Sequence, residues 1–259
     1  MRERENGLGR DTSSLWTDRG ADRGAQCTRI LSVAITAMAP HLVDLFGFLD
    51  FDGLKLQGSA DTLAKTVRAF VGARMSARMI AIFDNDTAGA AALETLADVE
   101  LPPNIKVLAL PRSEVAENYP TQGPQGVADL NVNGLACSIE LYLGPALLKG
   151  DGGRHPVRWT GWNAKLTRYQ GAVERKDEIE ATFLALLAEC SSPAAARTRF
   201  PDLATAVDTI MFAFATGRDG SLDETAAITS REAGVAPDRS RGSREYRSTC
   251  RRTARPPPP

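Results

Sequence analysis

Histidine is scarce in this chain, two residues in 259, and cysteine is little more common at four. His41 and His155 are isolated, so a histidine-based nucleophilic triad has little to stand on. Cys27, Cys137, Cys190 and Cys250 are widely scattered and none forms a Cys-x-x-Cys pair. That argues against zinc and against a disulfide framework, and points to reduced thiols in a cytoplasmic protein. Charge of one sign is also missing. A net charge of −1 provides no global basic field of the kind that dominates nucleic-acid affinity, so any such contact must be local or pass through metal. No apolar run reaches the roughly 18 residues of a membrane span, and the N-terminus has no apolar signal core. No membrane partner is expected.

Hydrophobic periodicity is missing at both ends. Residues 1–26 are rich in Arg, Asp, Gly and Ser and are expected to be disordered or loosely attached. Residues 229–259 are dense in Arg, Ser and Pro. They read as a solvated tail, with a basic arm touching nucleic acid as the sharper alternative. Such loss of patterning at both ends is also what an out-of-frame reading of a GC-rich gene would produce.

Between the ends the chain is well patterned. Helical spacing of Ile30, Leu31, Ala34 and Ile35 predicts a helix over 28–38, closed by Pro40. Residues 45–51 and the apolar run Met79 to Phe83 read as strands, with an amphipathic helix over 62–72 between them. A helix over 88–97 and a strand over 105–110 follow. This β-α-β-α-β alternation implies an α/β fold with a parallel sheet, Met79–Phe83 central and helices on both faces. Residues 111–133 read as a long Pro/Gly loop, and 135–143 as a helix carrying Glu140. Beyond them come a short strand over 157–162 and helices over 177–190, 194–199 and 203–215. Trp159 and Trp162 are expected to bury against the Tyr169 region, with base stacking as the weaker reading. The organisation is therefore 27–150 as the principal domain, 151–228 as a helical extension, and the two atypical ends.

The chemistry concentrates at Asp84-Asn85-Asp86-Thr87-Ala88. An apolar strand stops at two carboxylates spaced i, i+2, and a helix-forming run follows. In open α/β sheets, ligands sit beyond the carboxyl ends of strands. Paired carboxylate oxygens suit Mg²⁺, which takes one or two carboxylates and keeps water and phosphate on its other positions. The plainer reading makes Asp86 the N-cap of the following helix. Gly89 would let a backbone or ligand approach closely.

Ile82-Phe-Asp-Asn-Asp-Thr-Ala-Gly89 resembles the Asp-x-Asp motif of Toprim domains, the metal-binding module of topoisomerases, primases and related nucleases. The resemblance is closer still to bacterial proteins of the HEPN/Toprim-associated kind. It runs over roughly 28–187, through Phe46-Gly-Phe-Leu-Asp-Phe51, Gly58-Ser-Ala-Asp-Thr-Leu63, Leu101-Pro-Pro-Asn-Ile-Lys-Val-Leu-Ala-Leu110 and Asn133-Gly-Leu-Ala-Cys-Ser-Ile-Glu-Leu-Tyr-Leu143. The resemblance implies a Rossmann-like three-layer fold. It also implies that Asp84 and Asp86 are catalytic and, with Glu140, hold Mg²⁺ or Mn²⁺ for phosphodiester hydrolysis or phosphoryl transfer, with nucleic acid as partner and phage defence as a setting. A protein partner or homo-oligomer is the other partner expected.

The chain departs from the family at the first motif, a strand ending in Glu-Gly whose glutamate acts as general acid/base. Gly24 fits, but Arg23 stands at the glutamate position, Cys27 stands where an aspartate is common, and Trp16-Thr-Asp-Arg-Gly20 reads as too polar for a buried strand. The expected function is thus a metal-binding, nuclease-like domain with impaired catalysis. Asp50 and Asp52 lie near by topology, although turn and cap roles suit them better. Two alternatives stand beside it: a degenerate, non-enzymatic Toprim interaction module, and a haloacid-dehalogenase-like phosphatase in which Asp84 would be the nucleophile.

Overall fold

A computed structural model of the chain describes residues 13–17, 24–49, 58–150 and 152–215. All of them lie within the first of two compact units, Met1–Gly220 and Ser221–Pro259. The expected tail over 229–259 falls outside the described residues. The fold is mixed α/β.

Four strands form a parallel sheet in the order β2-β1-β3-β5, where β1 is Ser13–Thr17, β2 is Phe46–Phe48, β3 is Met79–Phe83 and β5 is Ile105–Ala109. Three helices connect them: α1 (Gly24–Met38), α2 (Ala60–Gly72) and α3 (Thr87–Leu96). Every residue of β3 is buried, as a strand flanked on both edges and covered on both faces must be. Its side chains alternate between two cores. Ile80 and Ile82 pack in the cluster that holds Ile30, Leu31 and Ile35 of α1. Met79, Ala81 and Phe83 pack with Leu63 and Val67 of α2 and Ala92 and Leu96 of α3. Each large apolar side chain so buried contributes about 1.5–3 kcal/mol.

The strand β1 corrects the expectation for residues 1–26. Ser13–Thr17 lies between β2 and β3, with Leu15 opposite both Phe48 and Ile80. Strand preference depends on neighbours as much as on residue type, and two ready ladders outweigh a polar flank. Asn104, in the Leu-Pro-Pro-Asn segment, pins the approach to β3 by donating both amide hydrogens, to the carbonyls of Met75 and Ala77 at 2.8 Å each.

A second, mixed sheet has the order β12-β11-β6-β7, with β6 Tyr119–Gly123, β7 Gly126–Leu130, β11 Val157–Asn163 and β12 Arg168–Val173. The β6–β7 hairpin replaces the loop expected over 111–133. Pro120 within the first strand and a wholly exposed second strand removed the apolar alternation by which strands are recognised. The helix expected over 135–143 is instead a short strand, β8 (Ala136–Cys137), followed by a 3-10 turn, Ile139–Leu143. The strand β4 (Asn85–Asp86) claims the backbone of β8, and all five residues of the turn are buried, so no polar helical face was needed. A small hairpin, β9 (Lys149–Gly150) and β10 (Gly153–Arg154), precedes β11.

Residues 151–228 do not stand apart as a helical extension where they are described. They begin with strands that pair across residue 150, Val157 with Thr121 and Arg158 with Gln122. The helices α4 (Lys176–Ala188), α5 (Pro193–Arg199) and α6 (Pro201–Met211) share one core cluster with α1, including Ile179, Phe183, Phe200, Leu203 and Val207. Among the described residues no helix is long and apolar enough to cross a membrane.

Candidate functional site

The carboxyl ends of β1, β3 and β5 lie level, since Thr17 pairs with Ile82 and Phe83 with Ala109. Asp84 therefore emerges at the edge where parallel sheets present ligands. It is only 7% exposed. Two residues on, Asp86 is the N-cap of α3, and its Oδ1 accepts the Gly89 N–H at 2.7 Å. The capping role is thus realised, and it commits one oxygen of the pair to the helix. Gly89 is required for a steric reason: a Cβ there would lie 2.2 Å from the Asp84 carbonyl oxygen. The expected close approach is made by the chain's own backbone.

Asn85, between the acids, anchors the turn. Its Oδ1 accepts the Gly134 N–H at 2.9 Å, and its amide donates to Asn133 Oδ1 at 3.2 Å and to the Pro111 carbonyl at 3.4 Å. Asn133 in turn accepts the Ser113 N–H at 3.0 Å and donates to the Ser113 carbonyl at 3.0 Å. The Tyr142 hydroxyl donates to the Pro111 carbonyl and receives the Cys137 thiol at 3.6 Å. Burial pushes the Cys137 thiol up to about 12, with the fields of Asp84, Asp86 and Glu140 acting in the same direction and the Tyr142 hydrogen bond opposing them. Burial likewise holds the Tyr142 and Tyr119 hydroxyls far above the usual phenol range.

Glu140 is placed differently from the aspartates. Its side chain is wholly buried, and Oε2 accepts from Lys176 Nζ at 3.1 Å and from the Ser138 hydroxyl. Lys176 Nζ also donates to Ser138 Oγ at 3.1 Å, and its side chain is 9% exposed. A cation fixed by the protein therefore holds Glu140. Among the described residues, no group of three or more His, Cys, Asp or Glu side chains is placed to hold a metal ion. The donors do not fit the three-carboxylate centre expected of Asp84, Asp86 and Glu140. Asp84 and Asp86 by themselves remain a donor pair of the kind that suits Mg²⁺.

Asp50, Asp52 and Arg23 lie outside the described residues.

The site has a third side that the sequence did not reveal. Thr87 Oγ1, next to Asp86, donates to the Tyr169 carbonyl at 2.7 Å, which brings β12 against the start of α3. Tyr169 meets both tryptophans of β11, at 5.8 Å between ring centroids for Trp159 and 4.8 Å for Trp162. The expected aromatic contact forms, but Trp162 stays 54% exposed and Tyr169 57%. The residues missed by sequence reasoning are Lys176, whose partner is 36 residues away, and Asn85 and Asn133, which are 48 apart.

No family model, curated protein or solved structure matches the chain.

Proposed function

We propose that this chain is a Toprim-like, Rossmann-like three-layer domain that handles nucleic acid without intact phosphodiester hydrolysis, with a two-carboxylate cation site at Asp84 and Asp86. The observation that carries this reading is the pairing of Glu140 with Lys176 inside the protein. A carboxylate neutralised by a fixed ammonium does not need a metal, and displacing that ammonium would strand it in a low-dielectric interior. Further support comes from β3, a buried parallel strand that ends at Asp84, and from the two cores on its opposite faces.

Mg²⁺ or Mn²⁺ bound by Asp84 and Asp86 would supply positive charge to a phosphate oxygen. The protein's own residues hold the rest of the turn: Asn85 and Asn133 fix its backbone, and Gly89 brings α3 against Asp84. The test joins calorimetry to a nuclease assay on the purified chain. Mn²⁺ should bind weakly, Asp84→Asn should abolish binding, and single- or double-stranded substrates should stay intact. Robust cleavage that Asp86→Ala abolishes would overturn the impaired-catalysis reading. Mn²⁺ binding unchanged in Asp84→Asn would remove the cation site.

A further inference from the structure

Three aromatic rings share one face of the β11–β12 hairpin. Regular alternation would place Trp159 and Trp162 on opposite faces, because their spacing is odd. A register shift between Trp159 and Gly161 brings Trp162 back to the Trp159 face, directly opposite Tyr169. Room for the Trp159 ring comes from two glycines on the flanking strands. A Cβ on Gly171 would lie 2.9 Å from that ring, and one on Gly123 would lie 3.1 Å from it. The face is closed at one end, where Val157 and Val173 are buried, and open at the other, where Trp162 and Tyr169 meet edge to face at 72°.

Arg168 precedes Tyr169 and forms no ion pair and no side-chain hydrogen bond among the described residues. Its guanidinium lies 4.0 Å from where a Cβ on Gly134 would stand, and Gly134 is the residue held by Asn85. Among the described residues the Arg168 cation is thus unpaired and lies near Gly134, while the Tyr169 backbone is tied to the Asp84–Asp86 turn through Thr87. As neighbours in β12, Arg168 and Tyr169 leave opposite faces of the strand.

We propose that Trp162 and Tyr169 form a stacking site for unpaired bases of single-stranded nucleic acid, with Arg168, the preceding residue of β12, as the cation at the strand edge. Aromatic rings accept any exposed base face, and arginine supplies the phosphate contact. A duplex hides its base faces, and this chain has no net positive charge to hold one by its backbone alone. A protein partner fits less well. A stable interface needs about 800 Å² per side, whereas these rings are bounded by the exposed Thr160, Gly161 and Lys165. The proposal names the nucleic-acid class within the reading above, yet it requires neither metal nor cleavage.

The experiment is a fluorescence-anisotropy titration of the full chain against a labelled oligodeoxythymidylate of about 10 nucleotides, within the site sizes usual for single-strand binding, in EDTA. An abasic oligomer of the same length and a duplex run alongside it. Expected is binding to oligodeoxythymidylate that weakens about 5- to 100-fold in Trp162→Ala or Tyr169→Ala, the range that stacking one base commands. Trp162→Phe should retain most of the affinity, and the abasic oligomer should be insensitive to both alanine variants. Arg168→Gln should lower the salt slope by about one for both oligomers. Circular dichroism and a melting curve confirm that each variant is folded. Equal affinity for the thymidylate and abasic oligomers, or thymidylate affinity unchanged by Trp162→Ala, overturns the proposal. Absence of oligonucleotide binding, or dimerisation that Trp162→Ala abolishes without oligonucleotide binding, overturns it as well, and the dimer would assign the rings to a protein interface. Because EDTA removes divalent ions, none of these outcomes depends on the Asp84–Asp86 site.

Discussion

The strand β3 and the hairpin β11–β12 both border the acidic turn, and they are built on opposite terms. All five residues of β3 are buried, and its side chains serve two cores. The hairpin buries its closed end and leaves two large rings in solvent. Polar groups follow the same division. On the β3 side, Glu140 is sealed against Lys176, and Cys137 and Tyr142 are held in their neutral forms. On the hairpin side, the ion pair of Arg158 with Glu174 leaves the arginine 62% exposed. Ionic interactions on the first side are therefore costly to disturb, and on the second they are worth little.

The largest expected effect tests the sealed side. Lys176→Met leaves the Glu140 carboxylate buried without its cation, and should cost about 3–5 kcal/mol in urea denaturation. The double variant Glu140→Gln/Lys176→Met should regain most of that loss. A cost below about 1 kcal/mol, typical of exposed pairs, would put both sides on equal terms and return Glu140 to the list of cation ligands.

Gly89→Ala comes next. Its Cβ must displace the Asp84 carbonyl, a backbone atom 2.2 Å away, so α3 must move. Overpacking of this kind costs about 1–3 kcal/mol, measurable as a lower melting temperature, and Mn²⁺ affinity should fall with it. Unchanged stability and affinity would show that the turn is loose.

The pH dependence of stability is smaller per unit but has a definite sign. The Cys137 thiol is raised from 9.0 to about 12 in the fold. Below pH 9 both folded and unfolded chains keep the proton, so this stabilisation is fully present. Between pH 9 and 12 the unfolded chain loses the proton and the folded one keeps it, so stability falls by about 1.4 kcal/mol per pH unit. Cys137→Ala should flatten that component in denaturation curves taken across this window. The raised hydroxyls of Tyr119 and Tyr142 act in the same direction at higher pH. By contrast, Trp162→Ala on the open hairpin should change stability by no more than about 0.5 kcal/mol, as exposed substitutions usually do.

Legibility in the sequence followed burial. Met79–Phe83, the helices flanking it and the Asp86 cap could be read because periodicity and capping are local signals with short reach. The parallel sheet followed from their alternation, with Ser13–Thr17 as the omission, since that strand depends on the ladders beside it. The β6–β7 hairpin gave no signal because Pro120 and a wholly exposed partner strand erase alternation.

By itself, the sequence determined that an apolar strand would end at two aspartates and that Asp86 would open a helix, because those outcomes turn on residues within a few positions of one another. Only the tertiary structure decided that Glu140 would face Lys176 and not the aspartates. It likewise decided that Gly89 would press on Asp84, and that a one-residue bulge would set Trp162 over Tyr169 beside that turn. Each of these depends on which distant backbone arrives alongside, and the free energy that selects it comes from burying both partners together.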